Sequence, residues 1–245
     1  MEEEKINALF GVEQEPTGNV EVVPQQIQSP ELNLSESVNR DFNIKDAFNF
    51  GWEIFKKNKQ ILLILPLVYF AVLIACSIIL DLLKENFTLS LIANIFYIAL
   101  NILVSIGIIQ IFFSLSRGGA VKIKDLFGGK KHFWRFAGGS ILYGFIVGIG
   151  YLLLIIPGII WQIKYGFFQY LIVDKGMNPM DAIKESGRIT YGYKWKIFMV
   201  QILTIILILV GILFFGVGIL VAYPVSLLAM VYAYRKLIGE KIESV

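Results

Sequence analysis

The sequence predicts an all-α membrane protein with six transmembrane helices in three hairpins, short amphipathic cytoplasmic helices and a disordered N-terminal tail. Of the 245 residues, 56% are hydrophobic and 17% are charged, whereas soluble domains contain about 25% charged residues. Three runs also contain no charged residue, and each is longer than the roughly 18 residues that indicate a span. These runs are residues 88–116, 136–163 and 197–234.

The runs predict where each span lies. An unbroken helix over 197–234 would be roughly 57 Å long, against a hydrocarbon core of about 30 Å, so this run holds two spans with a turn near Gly216 and Gly218. A Pro157-Gly158 turn separates the third span from the fourth. The six predicted spans are residues 61–80, 89–115, 136–156, 159–173, 197–215 and 217–234.

The basic residues predict the orientation. Of the 22 lysines and arginines, the six-span arrangement leaves only Lys84 in the external connections and only Lys164 within a span. Cytoplasmic loops of membrane proteins contain the excess of Lys and Arg. We therefore expect a multi-pass protein of the plasma (inner) membrane with both termini in the cytoplasm.

Two regions are distinguished by composition. Residues 1–40 are a predicted disordered acidic tail, with eight Glu against one Lys and one Arg, because such a segment buries too little apolar surface to offset its chain entropy. Residues 41–245 form the predicted helical membrane domain.

Residues 42–58 predict an amphipathic helix, since Ile44, Phe48, Trp52 and Phe55 recur on one helical face. Such a helix either lies in the lipid headgroup plane or packs on the cytoplasmic end of the bundle; both alternatives stay open.

A second short helix is predicted to begin at residues 178–181, where Asn precedes Pro at the first helical position and Asp at the third. Its small residues Ala182 and Ser186 share a face with Ile189. This face predicts close docking against the cytoplasmic ends of the spans.

Residues 150–200 contain several motifs that resemble a known family: IPGI at 156–159, YGFF at 165–168, IVD at 172–174 and NPMDAIKES at 178–186. They resemble a broad set of uncharacterised prokaryotic six-helix membrane proteins related to the membrane domain of glycerophosphodiester phosphodiesterases. The resemblance implies the fold over about residues 42–237 and no catalytic residue, because that membrane domain has no catalytic motif. The catalytic barrel is absent from this sequence, so its activity is not expected here.

One set of polar residues falls inside predicted spans and forms a candidate intramembrane site. Intramembrane charges are costly and are candidates for function, but Lys164 has no carboxylate partner within a span and also fits a side chain that reaches the interface. The amides either line a solute path or hydrogen-bond between helices. The candidate residues are Lys164, Gln162, Gln169, Asn94 and Asn101.

The connection 117–135 is basic and contains two glycine pairs, but it lacks the spacing of a phosphate-binding loop. Attraction to anionic lipid headgroups, about 1 kcal/mol per basic residue near the surface, accounts for its charge, and no nucleic acid partner is expected. The candidate lipid contacts are Lys122, Lys124, Lys130, Lys131 and Arg135.

These observations favour a non-enzymatic membrane protein that binds or organises lipids or other membrane proteins. The alternative is a small-solute or lipid transporter with Lys164 in its site. The lone Cys76 and the lone His132 predict no disulfide, no metal site and no cofactor, and no catalytic residue is predicted.

Overall fold

The computed structural model describes residues 40–213 and 216–242, so nearly all of the predicted tail lies outside the described residues. Within these ranges the chain is helical, and a 3-10 helix, Ile123–His132, precedes the fourth α-helix. The α-helices are α1 (Ile44–Lys57), α2 (Lys59–Leu82), α3 (Phe87–Ser116), α4 (Phe133–Leu153), α5 (Ile155–Tyr165), α6 (Phe168–Lys175), α7 (Pro179–Ile189), α8 (Lys194–Leu213) and α9 (Ile219–Leu237).

Four helical segments of the described chain have the length and composition of membrane spans: α2, α3, α8 and the 3-10 helix together with α4. Their large apolar side chains face outward; Phe96 on α3 is 66% exposed and Ile141 on α4 is 63% exposed. Water would disfavour so extensive an apolar surface, whereas hydrocarbon does not. The structure thus confirms the prediction of a helical membrane protein at the level of four candidate spans.

The predicted fourth span, 159–173, is not one helix. The chain forms α5, of 11 residues, and α6, of eight, with a break at Gly166 and Phe167; each is shorter than the roughly 20 residues that cross a bilayer. Pro157 and Gly158 lie in the first turn of α5 rather than in a turn before it, because proline fits the start of a helix, where its missing N–H is not needed. The preceding chain break is at Leu154, whose φ and ψ are extended.

The predicted sixth span corresponds to α9, which is long but is not among the four candidate spans. Its last turn contains Arg235 and Lys236. From Ala222 onward most of its side chains are buried, because α9 packs against α1, α2, α3 and α8. The turn predicted near Gly216 is present, and Gly216 has a φ of +75°. The six-span arrangement stays a prediction.

Helix α1 packs on α9 through a face offset from the predicted one. Ala47, Phe50, Gly51 and Ile54 are buried, while Trp52 is 46% exposed. A Cβ at Gly51 would lie 2.6 Å from the backbone oxygen of Val225, so the absence of a side chain lets the two helices approach. The helix packs on the bundle, as the alternative interpretation expects, and its position in the headgroup plane stays a prediction.

A cluster of ion pairs joins three helices to the segment after α9. The Arg117 guanidinium contacts both oxygens of Glu240, with Nε–Oε1 and Nη2–Oε2 distances of 3.0 Å, and its Nη1 lies 2.7 Å from Oδ1 of Asp174. The Tyr234 hydroxyl donates to Oδ2 of Asp174 at 3.0 Å. Arg235, which is buried, contacts Glu240 and donates to the carbonyl of Ser116. This ion-pair cluster fixes the ends of α3, α6 and α9 relative to one another.

Glycines also decide where the 3-10 helix packs. A Cβ at Gly107, in α3, would overlap the backbone of Leu126 in the 3-10 helix, so that contact requires glycine. By contrast, Gly144 and Gly148 in α4, which share a helical stripe of small residues, have no atom of the described chain within 4 Å of an added Cβ.

We predict that Gly107→Ala lowers the melting temperature of the protein in detergent, because the added methyl group forces α3 and the 3-10 helix apart at a cost of about 1–3 kcal/mol. Gly144→Ala is the matched control, since it adds the same methyl group to a spanning helix at a position with free space. Thermal unfolding of both variants tests the contact, and equal melting temperatures would contradict it.

We also predict that the contribution of Glu240 to the free energy of unfolding depends on pH. Partial burial raises the pKa of its carboxyl, but the hydrogen bonds from Arg117 and Arg235 outweigh that effect and hold the pKa below its ordinary value. A lowered folded-state pKa stabilises the fold above the unfolded-state pKa of about 4.3, and this stabilisation is lost as pH falls through the folded-state pKa.

The melting temperature of wild type should therefore exceed that of Glu240→Gln at neutral pH, and the difference should shrink below about pH 4.3. Glu53→Gln is the control, because Glu53 pairs with Lys56 on the exposed surface of α1, where such pairs contribute little. A difference for Glu240→Gln that stays constant down to about pH 3 would show that the pairing is not responsible.

Candidate functional site

Lys164 lies in the last turn of α5, at the break between α5 and α6. Its ammonium nitrogen is 4.8 Å from the centroid of the Tyr165 ring, a cation–π distance. Its Cε would lie 3.2 Å from a Cβ at Gly187, so the aliphatic part of the side chain rests on α7. Lys164 is therefore half-buried, with its ammonium group on an aromatic ring and its aliphatic part on a glycine.

The backbone at this break is bonded by side chains of α7. The buried hydroxyl of Ser186 accepts from the N–H of Phe167 at 3.1 Å and donates to the carbonyl of Lys164 at 3.0 Å. The Thr190 hydroxyl lies 3.1 Å from the same carbonyl oxygen. A backbone break leaves polar groups without helical partners, and Ser186 satisfies one on each side of it. The predicted docking of Ala182, Ser186 and Ile189 is confirmed, since all three are buried.

The two glutamines of the candidate site lie on different short helices. On α5, the Gln162 side-chain oxygen accepts from the Tyr151 hydroxyl at 2.6 Å, and its carbonyl accepts from the Tyr143 hydroxyl at 3.4 Å. Gln169 lies on α6 and is partly buried. Gln162 therefore hydrogen-bonds between helices, as one of the two interpretations expects.

The two asparagines of the candidate site hydrogen-bond within their own helix, unlike Gln162. Asn94 donates to the carbonyl of Ser90 at 2.8 Å and Asn101 donates to the carbonyl of Tyr97 at 3.0 Å, both within α3. Among the described hydrogen bonds, none joins either amide to Lys164 or Gln162. The side chains of Lys164 and Gln162 contact different helices, α7 and α4, and no described hydrogen bond joins them. The single intramembrane site stays a prediction.

The basic connection presents its charges on the surface. The five candidate lipid contacts are all exposed; they are Lys122, Lys124, Lys130, Lys131 and Arg135. Arg135 donates to the carbonyl of Gly176 at 2.5 Å, which ties the connection to the end of α6. The four lysines make no ion pair with another described residue.

Apolar side chains lie among these lysines, and the sequence prediction did not include Ile123 and Phe127 in this surface. Ile123 is 44% exposed, Phe127 46% and Trp134 83%. Their spacing in the sequence alternates with the basic residues, and this pattern was the available signal. We call the seven residues together the basic–aromatic surface: Lys122, Ile123, Lys124, Phe127, Lys130, Lys131 and Trp134.

The 3-10 helix holds the basic–aromatic surface in place from within. Asp125 accepts from the N–H of Lys122 at 2.8 Å and so caps the start of the helix. Leu126 and Gly129 are buried against α3. Inward-facing Leu126 and Gly129 alternate with outward-facing lysines and aromatic residues, so the surface rests on the packed part of the protein.

Within residues 40–213 and 216–242, no group of three or more His, Cys, Asp or Glu side chains is placed to hold a metal ion. His132 is buried at the end of the 3-10 helix. The candidates for function among the described residues are thus the exposed basic connection and the helix break at Lys164.

Comparison with known proteins gives relatives of unknown function. The chain is 26% identical over 230 residues to "Uncharacterized protein Rv2560" of Mycobacterium tuberculosis H37Rv, an alignment that covers 82% of this chain and 70% of that protein. The same identity and coverage relate it to "Uncharacterized protein Mb2590" of Mycobacterium bovis. No family model matches the chain, and no solved structure matches it. The chain is thus similar to mycobacterial proteins that are themselves uncharacterised.

Proposed function

We propose that the protein is a non-enzymatic, multi-pass membrane protein that binds anionic lipid headgroups through its basic–aromatic surface and organises lipids or other membrane proteins. The observation that carries this proposal is the exposure of four lysines without ion-pair partners in the described chain, next to exposed Ile123, Phe127 and Trp134. Positive charges beside apolar and aromatic side chains are the usual chemistry of a surface at the headgroup level.

The energetics favour lipid over a soluble anion. Each lysine near an anionic leaflet contributes about 1 kcal/mol, so four give an upper limit of about 4 kcal/mol. The apolar side chains add a contribution that salt does not screen, since burial of apolar surface stabilises by about 25 cal/mol per Å². A free phosphate would use the lysines and leave Trp134 in water.

The proposal also includes the location, the topology and the family relationship that the sequence predicts. An inner-membrane location, six spans with both termini in the cytoplasm, and kinship with the membrane domain of glycerophosphodiester phosphodiesterases are supported by the distribution of lysines and arginines and by the motifs of residues 150–200. In this arrangement the basic–aromatic surface faces the cytoplasmic leaflet.

We predict that replacing the four lysines by glutamine reduces binding of phosphatidylglycerol. Lys122→Gln, Lys124→Gln, Lys130→Gln and Lys131→Gln remove four exposed charges, and each charge lost should weaken binding by up to about fivefold at low salt. Binding to the purified full chain is measured with fluorescent phosphatidylglycerol in neutral detergent micelles at low and at high salt.

The matched control replaces the same four lysines by arginine, which keeps the charge. The arginine variant should bind like wild type, and the difference between wild type and the glutamine variant should narrow in high salt. Equal binding by the glutamine and arginine variants would refute the assigned surface.

A second candidate function, transport, is favoured by the break between α5 and α6. Discontinuous helices mark the substrate sites of many transporters, and Lys164 lies at this break. Against it, Ser186 already bonds the backbone groups that a solute would use.

Transport through this region predicts that water reaches position 164. In a Cys76→Ala background, Lys164→Cys should react with a water-soluble maleimide much faster than Ile160→Cys, which lies on the same helix and is 43% exposed on its apolar surface. Equal, slow labelling of both cysteines would exclude a water-filled path at Lys164.

A further inference from the structure

An apolar groove lies between α1 and α8, on a different part of the protein from the basic–aromatic surface. Its volume is about 370 Å³, within the range of roughly 300–1,000 Å³ of small-molecule sites. Aliphatic and aromatic side chains form most of its lining, with the polar ends of Lys45 and Asn49 beside them. The apolar lining residues are Ile44, Phe48, Leu203, Ile206, Leu207 and Val210.

A polar pocket of about 520 Å³ adjoins this groove, and Ile44 lines both. The polar pocket is formed by the chain before α1 and the facing ends of α8 and α9. Its charged lining residues are two of each sign: Asp41, Asp46, Lys196 and Lys236. The two cavities together present a polar end and an apolar end, as an amphipathic ligand requires.

The spacing along α8 matches a lipid. Helices rise about 1.5 Å per residue, so Lys196 in the polar pocket lies about 10 Å along the axis from Leu203, where the apolar groove begins. Val210 lies about another 10 Å further. Half of the hydrocarbon core is about 15 Å thick and the headgroup region adds about 5–7 Å, so the polar pocket and the groove together span about the distance from a headgroup to the end of an acyl chain.

The charges in the polar pocket are not equivalent. The ammonium of Lys196 pairs with Asp41 and also contacts the carbonyl of Phe42. Asp46 and Lys236 form no ion pair with any residue of the described chain. The polar pocket therefore offers one carboxylate and one ammonium group of opposite sign.

From this arrangement we propose that the two cavities form one site for a zwitterionic phospholipid with an amine headgroup. The phosphate of the lipid contacts Lys236, its ammonium contacts Asp46, and one acyl chain lies in the groove between α1 and α8. A purely anionic headgroup would leave Asp46 facing a negative charge, so the site selects against phosphatidylglycerol. It is separate from the basic–aromatic surface, which favours anionic lipid.

The test uses the full chain reconstituted in nanodiscs that contain equal amounts of phosphatidylethanolamine and phosphatidylglycerol with the same acyl chains. After extraction in mild detergent, native mass spectrometry counts the lipids that remain bound. The lipid that is lost when the groove is filled should be phosphatidylethanolamine in preference to phosphatidylglycerol, because phosphatidylglycerol also binds the basic–aromatic surface. Leu203→Trp fills the groove and should reduce the retained phosphatidylethanolamine about tenfold, as expected for the loss of about 1.4 kcal/mol of binding.

Leu209→Trp is the matched control: it makes the same substitution on α8 at a position that is 58% exposed and does not line the groove. It should retain lipid like wild type. Asp46→Asn should abolish the preference for phosphatidylethanolamine over phosphatidylglycerol while total bound lipid remains, and Lys236→Gln should lower binding of both. Melting temperatures identify any variant that is misfolded.

Two results would overturn the proposal: equal retention of phosphatidylethanolamine by Leu203→Trp and Leu209→Trp, or a loss of phosphatidylglycerol from Leu203→Trp as large as its loss of phosphatidylethanolamine. The separate measurement of phosphatidylglycerol binding to the glutamine and arginine variants is unaffected by either result. Failure of this site and failure of the basic–aromatic surface are therefore distinguishable.

Discussion

The packing of α9 is the constraint on which the rest of the structure depends. Helices α1, α2, α3 and α8 pack against it, and Tyr234 at its end also contacts α6. Small residues of α9 lie buried where these helices approach: Ala222, Ser226, Ala229 and Ala233. Close approach of helices increases dispersion contacts, which drive association where both lipid and protein are apolar. A helix covered on all sides by protein needs no lipid-facing surface, and so α9 accommodates tyrosines and two basic residues in its last turns.

The charges at the end of α9 follow from the same packing. Arg235 is buried between α3 and the segment after α9, where an unpaired guanidinium would be costly. Glu240 and the carbonyl of Ser116 pair with it, and Arg117 extends the network to Asp174 on α6. The ion-pair cluster thus sets the positions of α6 and α9 relative to α3. The basic–aromatic surface, whose underside packs on α3 at Gly107, rests on the same well-packed part of the protein.

Structural features that one segment determines by itself were predicted from the sequence, and features that depend on a second segment of the chain were not. The four spanning segments were predicted because long uncharged runs already specify a lipid environment. Residues 159–173 were predicted as a span because two short apolar helices have the same composition as one spanning helix; the polar backbone groups at the break are bonded by Ser186, 20 positions after Gly166. The lysines of residues 122–131 were predicted as exposed from charge, but Ile123 and Phe127 beside them were not.

Ion pairs between residues far apart in the sequence are the hardest features to predict from the sequence alone. Arg117 and Glu240 are separated by 123 positions, and no local pattern distinguishes them from other surface charges. Glycines show the same limit: a Cβ added at Gly144 or Gly148, in a small-residue stripe, would have no described atom within 4 Å, whereas one at Gly107, outside any such stripe, would overlap the backbone of the 3-10 helix. The importance of a small residue depends on what faces it.

The two proposed lipid contacts have different physical origins, and this difference bears on function. The basic–aromatic surface is exposed and its charged residues are all lysines, so the proposed attraction to lipid is long-ranged, sensitive to salt and indifferent to which lipid supplies the negative charge. The cavities between α1, α8 and α9 are concave and have balanced charge, so attraction there depends on shape and on the pairing of opposite groups at contact distance. One surface responds to the composition of the leaflet as a whole and the other to a single molecule. Because α1 packs on α9 through Gly51, the groove between α1 and α8 adjoins the helix that also packs on α3, which supports the basic–aromatic surface. Under the proposed function, the two lipid contacts would therefore act on one connected group of packed helices.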